Sequence, residues 1–478
     1  MPDPILLWNE VALEANRVSH TNGQGEQPGP TLSSRALAIV HLAMYDAYAG
    51  VIDDPATLPR YLSVPPAPGA GASEDAAVAA AAHTTLSRLF PSQTPFFDSI
   101  LAGAGDPANP GHGFGILVAQ AMLTDRAGDP GAGGSYTPLP QRGKHRPDPD
   151  NPGQGFHAPL YGAQSNGFGI TQRFELAPPP FDDNEYQDAL RQVRGRGIAP
   201  ELMGTLPHHI KGRTVDQTLI GIFWAYDGVL GLGTPPRLYN QIVRRIAIAK
   251  NNLAADNARL FAFLNVAMAD AGILAWDQKY IHNFWRPVVG IREHDKSMGP
   301  APTQAHDNIS NDCDAWWLPL GAPNTNRLAA KNFTPPFPAY PSGHATFGAA
   351  AFHITRLFYG VPSGDRHPDH LFDDLDFVSE ECNGINTDNR GTVRPRHLRN
   401  FPDGLWQMIE ENGRSRVYLG VHWIFDAFAV TEDHTPDLAR QLDGKFIGGV
   451  PLGLQIAEDI FQFGDQKAPK KSTVGPRP

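Results

Sequence analysis

Apolar residues recur at helical spacing in most segments of this chain that can hold a core. Leu37, Val40, His41, Met44, Tyr45 and Tyr48 share one face of a helix predicted over 34–48, behind a serine that can cap it. An alanine-rich helix is predicted over 73–89 and a short one near 114–123. The longest signal runs from Leu238, with room for a break, to about His282. Within it Leu260, Phe261, Leu264, Ala267, Met268, Ala271 and Leu274 or Ala275 trace an apolar stripe. Further helices are predicted over 345–359, 405–419 and 423–430. Alternation of period two is scarce and no repeat of fixed period is visible, so the chain reads as mainly α.

Breakers fill the space between these helices. Glycine (48) and proline (45) are abundant in 478 residues, and their clusters from 103 to about 180 predict a long loop wrapped on the body. The Lys/Pro/Gly composition of 466–478 predicts a disordered tail. The expected division is an N-terminal helical bundle with its loop over 1–200 and a C-terminal bundle over 201–465.

A net charge of -11 argues against nucleic acid or an anionic membrane as the main partner. A mean hydropathy of -0.32, with no uninterrupted apolar run long enough to cross a bilayer, predicts no membrane span. Met1 to Glu10 lacks the basic and apolar segments of an ordinary secretory signal, which leaves the compartment open. Cys313 and Cys382 have no metal-like spacing and read as plain thiols or at most one bridge. His208, His209, His282, His306, His367 and His370 show no zinc-like pattern.

Against this acidic background three short motifs gather cations: Lys279-x6-Arg286-Pro287, Pro341-Ser342-Gly343-His344 and Ser415-Arg416-x5-His422-Trp423. Lys279 and Arg286, seven apart, would share one side of a helix that Pro287 ends. Ser342 and Gly343 enter a predicted helix, whose free N–H groups favour an anion, and Gly343 permits close approach. Arg416 and His422 would not share a helical face, so Gly420 is expected to break the helix and return His422 to the site, with Asp426 placed to orient its ring. Asp227 is either a partner for one arginine or an ordinary turn aspartate before glycine. Two imidazoles, a hydroxyl and three cations suit a phosphate-shaped oxyanion, one histidine bonding the central atom while the other moves protons.

The order and spacing of these motifs resemble the vanadium-dependent haloperoxidases and the related acid phosphatases. The opening Leu7-Trp8-Asn9-Glu10-Val11, Asn16-Arg17-Val18, Ser34-Arg35-Ala36-Leu37 to Asp46-Ala47-Tyr48, and Pro335-Pro336-Phe337-Pro338-Ala339-Tyr340 extend the likeness to chloroperoxidase-like members. The resemblance implies two four-helix bundles, the second holding vanadate as cofactor. It implies His422 as the vanadium ligand, His344 as the acid–base residue, and Lys279, Arg286, Ser342, Gly343 and Arg416 around the oxyanion. Trp276 and Phe337 match halide-side positions. Hydrogen peroxide, a halide and a small organic acceptor would be the partners, with bromide expected, chloride plausible, and oligomeric state open. An acid phosphatase working through a phospho-histidine is the alternative, less favoured because the gaps between motifs are long.

Overall fold

The computed structural model describes residues 3–181, 183–294, 312–369, 371–372 and 375–477; His306 and His370 lie outside them. Short polar side chains start many of the helices. Asp3 accepts from the Leu6 N–H at 3.0 Å to open α1 (Pro4–Ser19). α2 (Gly29–Ile52) instead begins on Gly29-Pro30, a turn earlier than its expected serine start. Ser73 caps α3 (Glu74–Leu89), and Asn109 caps α5 (Pro110–Asp125) after the short α4 (Thr94–Ala104), which the sequence pattern did not reveal. The Gly/Pro-rich stretch beyond contains only α6 (Tyr161–Gln164). Then follow α7 (Asn184–Arg196), α8 (Val215–Phe223), α9 (Pro235–Ala249) and α10 (Ala254–His282), the last two separated at the predicted break.

α10 is buried almost all round, as a helix apolar on every face must be. It packs on α2 on one side and on α12 (Gly343–Phe358) on another. α12 in turn packs on α13 (Gly404–Tyr418) and α14 (Gly449–Phe463), and these helices with α10 form the bundle that carries the candidate site. α2, α3 and α5 pack together on the far side of α10, with α1 against α3 and α9. One hydrophobic cluster runs through both groups, from Ile5 to Ala468. Among the described residues strand is confined to three antiparallel two-stranded ladders, β1 (Leu375–Phe377) with β2 (Arg399–Phe401), β3 (Ala429–Val430) with β4 (Pro436–Asp437), and β5 (Gln441–Leu442) with β6 (Lys445–Phe446). The chain is mainly helical, as its patterning requires.

Several expectations need correction. α2 and α10 are long and apolar enough to cross a bilayer, but 78% and 94% of their most apolar windows are buried, so their composition serves the core. The helix expected over 423–430 is a single turn, Ile424–Asp426, followed by β3, because Trp423 is extended and the Asp426 carboxylate is spent on the backbone and His422. Pro287 does not end α10. Asn283, in the left-handed region at φ 53°, ends it, and Pro287 opens α11 (Pro287–Arg292) with Arg286 at the cap position. The tail expected to be disordered lies against the body: Arg477 pairs with Asp277 at 2.8 Å, and Ser472 bonds the backbone at 168 and 170.

Candidate active site

Each motif delivers its side chains through a helix end. Ser342 caps α12, its Oγ accepting from the Ala345 N–H at 3.4 Å, while the N–H groups of Gly343 and His344 before it have no intrahelical acceptor, as in any first helical turn. The Ser342 N–H donates to the Asp426 carbonyl at 2.8 Å, tying the second motif to the third. Gly420, at φ 74°, ends the turn after α13 and returns the chain toward the site; a Cβ there would meet the Gly197 carbonyl oxygen at 2.5 Å. Arg286 Nε donates to the Phe337 carbonyl at 2.8 Å, and its Nη1 to the Val421 carbonyl at 2.7 Å.

His422 is held in one tautomer. Asp426 Oδ2 already accepts the Trp423 N–H at 3.0 Å and lies 2.7 Å from His422 Nδ1, so Nδ1 carries the proton and donates it. Nε2 is therefore the nitrogen with a free pair, and Arg286 Nη1 stands 2.9 Å from it. His344 is fixed in the opposite sense. Its Nε2 faces the Ala225 carbonyl at 2.7 Å, which can only accept, so Nε2 is protonated and Nδ1 is left as the base. Tyr239 and Asn412 hold the His344 carbonyl, the latter at 2.7 Å.

Of the two readings left open for Asp227, the structure shows the arginine partner: its two oxygens accept from Arg416 at 2.8 and 3.2 Å, and it stands 4.0 Å from His344 Nε2. Lys279 points its ammonium at the carbonyls of Pro338, Ala339 and Pro341. Three acceptors require three N–H donors, so the group is charged there even though burial, and then Arg286, pull its pKa well below the usual lysine range. Burial, and then Arg416 for His344 and Arg286 for His422, hold both histidines well below the ordinary histidine value, and burial lowers Arg286 to about 9. Burial likewise pushes Asp426 up to about 7 against the pull of Lys279 and Arg286.

Crowded cations with depressed affinity for their protons are a site awaiting negative charge. Arg286 Nη2 and Arg416 Nε are buried with no described partner, a cost that bound oxygens would remove. The donor set therefore fits a tetrahedral oxyanion of the vanadate or phosphate kind. A histidine nitrogen could supply one bond to its centre, and arginine and backbone N–H groups are the donors that would meet its oxygens. Among the described residues no cluster of three or more His, Cys, Asp or Glu exists that would hold a bare cation, and Cys313 and Cys382 form no disulfide with each other.

A cavity of about 260 Å³ opens beside these groups. Its lining combines polar residues, Asp227, His344, Arg416 and His422, with Gly343 and the aromatic rings of Trp276, Phe333, Phe337 and Phe347, the Trp276 and Phe337 rings lying 4.8 Å apart. Lys279, Arg286 and Ser342 are not among its lining residues. The sequence reading missed His20 and His157, which also line the cavity; both come from segments without a motif, and no periodicity marks them.

A helical bundle that presents a histidine and buried arginines to an oxyanion defines a class of protein, and comparison with known chains narrows it. A family profile described as "Vanadium chloroperoxidase N-terminal domain" matches residues 3–167, and one described as "VCPO second helical-bundle domain" matches residues 259–433. The vanadium chloroperoxidase of Curvularia inaequalis is 36% identical, over 99% of this chain and 94% of its own length. The chain belongs to the vanadium chloroperoxidase family. The fold is also that of a bacterial vanadium-dependent iodoperoxidase, with a TM-score of 0.63 at 18% identity over 98% of this chain and 97% of that one. A holo-type bacterial vanadium-dependent chloroperoxidase gives a TM-score of 0.63 at 16% identity over 92% and 93%.

Proposed function

We propose that this protein is a vanadate-dependent haloperoxidase that uses hydrogen peroxide to oxidise bromide, and also chloride, to hypohalous acid or its equivalent for halogenation of small organic acceptors. The observation that carries the reading is His422 Nε2, left unprotonated by the Nδ1–Asp426 bond and facing Arg286 Nη1, in a site where Arg286 Nη2 and Arg416 Nε are buried with no described partner. Bound vanadate supplies a Lewis acid that needs no change of its own oxidation state.

The chain's own residues do the rest. His422 Nε2 would hold the central atom, and Arg286 Nη2, Arg416 Nε and the N–H groups at the start of α12 would hold its oxygens. Lys279, its protons already committed, acts as a fixed positive charge that makes a bound oxygen more electrophilic. His344 Nδ1 takes the proton that peroxide must lose, and the Ala225 carbonyl steadies the imidazolium that results. Trp276 and Phe337 give the halide an approach from which water is excluded.

The test is reconstitution with vanadate, followed by parallel assays of bromide oxidation, chloride oxidation and phosphate-ester hydrolysis. Halide oxidation that requires vanadate is expected. Ester hydrolysis without halide oxidation would overturn the reading in favour of a phosphatase.

A further inference from the structure

His157 belongs to the Gly/Pro-rich stretch between α5 and α7, yet it touches both halide-side aromatics. Its ring stands edge-on to Trp276, centroids 5.9 Å apart at 86°, and 6.2 Å from the Phe337 ring. Its carbonyl accepts from Trp276 Nε1 at 3.3 Å and from the Tyr280 hydroxyl at 3.0 Å, and its N–H donates to the Pro336 carbonyl at 3.0 Å. Room for the ring depends on Gly29, at φ 69°, where a Cβ would lie 2.4 Å from His157 Cε1.

Thr31 sets the tautomer. Its hydroxyl is fully buried and lies 3.0 Å from His157 Nε2, the one bond that this hydroxyl makes among the described residues. A buried hydroxyl must donate, and Nε2 is the acceptor within reach, so the ring proton sits on Nδ1. No described residue bonds Nδ1, on a ring that forms part of the cavity wall. Burial keeps the ring neutral, its pKa lowered to about 4. An anion that sheds water to reach an aromatic wall would thus find one uncharged N–H donor there.

We propose that His157 is a specificity-determining residue of the halide side, its Nδ1–H donating to the incoming halide. Chloride, the smaller and more strongly hydrated ion, gains more from that bond than bromide does. The inference rests on the haloperoxidase reading.

Steady-state kinetics of the vanadate-loaded wild type, His157→Phe, His157→Asn and Thr31→Val would test it, together with chloride-35 NMR line broadening on the same proteins and thermal unfolding as a check of folding. His157→Phe should raise the chloride KM about tenfold, the equivalent of one hydrogen bond, and weaken chloride line broadening in step. Its bromide KM should rise less, and its kcat and peroxide KM should stay within about twofold. Asparagine, whose amide can present a donor where Nδ1 stood, should restore most of the loss, and Thr31→Val, which frees the tautomer, should fall between. A folded His157→Phe with wild-type chloride KM and line broadening would overturn the proposal, and so would an Asn variant as impaired as the Phe variant. A loaded wild type that oxidises neither halide would overturn the functional reading first.

Discussion

Two sets of residues line the cavity: Trp276, Phe337, Phe347 and His157 form one, and Arg416, His422, His344 and Asp227 the other. The second group is fastened by directional bonds from three separate motifs, and nearly every nitrogen in it has a stated partner or a stated lack of one. The first group is fastened by packing, by the carbonyl of residue 157 and by cations lying over the Phe337 ring, Lys279 at 5.0 Å and Arg286 at 4.9 Å. On the proposed function, the charged wall would fix an oxyanion by charge, where small displacements are costly, and the aromatic wall would shape the path of a monovalent ion, where substitutions shift preference and leave the chemistry in place. Mutations on the two walls should therefore fail in different ways.

His422→Ala should give the largest effect. Changes in groups that merely orient a metal's ligands cost about 10–100-fold in affinity, so loss of the ligand itself should weaken vanadate binding beyond about 100-fold and abolish halide oxidation while the fold persists. Calorimetric titration with vanadate checks it. Full affinity in the variant would move the bond to another residue.

Next in size is a stability effect. Asp227→Ala leaves Arg416 buried without its carboxylate, a kind of loss that costs about 3–5 kcal/mol. Vanadate or phosphate, by bringing negative charge to the same guanidinium, should restore much of that stability, measured as the urea midpoint with and without the anion. If the anion raised the midpoint no more in the variant than in wild type, Arg416 would not share its charge between Asp227 and the bound oxyanion.

The charged wall was the legible one, because its residues carry chemistry that spacing alone can flag: Ser342-Gly343 before a helix, Arg416 and His422 across a glycine, Asp426 four positions after His422. The misreadings there were of backbone. Pro287 can stop a helix or start one, and the deciding feature, Asn283 in the left-handed region, is a conformation with no strong signature. Trp423 to Val430 has helical composition, yet the carboxylate of Asp426 folds it back after one turn. The aromatic wall was half legible, through the likeness of Trp276 and Phe337 to family positions. His157 was silent because it reaches the site from a stretch with no period, brought there by its carbonyl and by the space over Gly29. Composition misled for the tail, whose Arg477 finds a buried partner, Asp277, that local sequence cannot reveal.

On the aromatic wall, Phe337→His should change preference and not abolish turnover. An imidazole in place of the ring loses the cation–π contacts of Lys279 and Arg286, about 0.5–2 kcal/mol each, and puts a polar, titratable group beside the oxyanion. Chloride oxidation, the more demanding reaction, should fall several-fold relative to bromide oxidation (about 3–10-fold if one such contact is lost). The ratio of the two rates in wild type and variant across mildly acidic pH decides it; an unchanged ratio would leave Phe337 as core packing.

The smallest expected effect concerns protons on that same wall. Burial lowers His157 to about 4 in the folded chain, whereas an unfolded histidine titrates near about 6.5. Between those values the unfolded chain binds a proton that the folded chain refuses. The stability that the neutral ring allows is thus present in full above about pH 6.5 and is lost as pH falls toward 4, at no more than about 1.4 kcal/mol per pH unit for one proton. His157→Asn removes that proton and should flatten the acid limb of a stability–pH curve by up to this slope, read from urea midpoints at pH 7.5, 6 and 5. The charged wall has titrating groups of its own, since Asp426, raised to about 7, works in the opposite direction. The comparison must therefore be the difference between variant and wild type at each pH, in which the charged wall cancels. Parallel curves would mean that His157 takes up its second proton at the same pH in the folded and the unfolded chain, and burial would then not be what keeps its ring neutral.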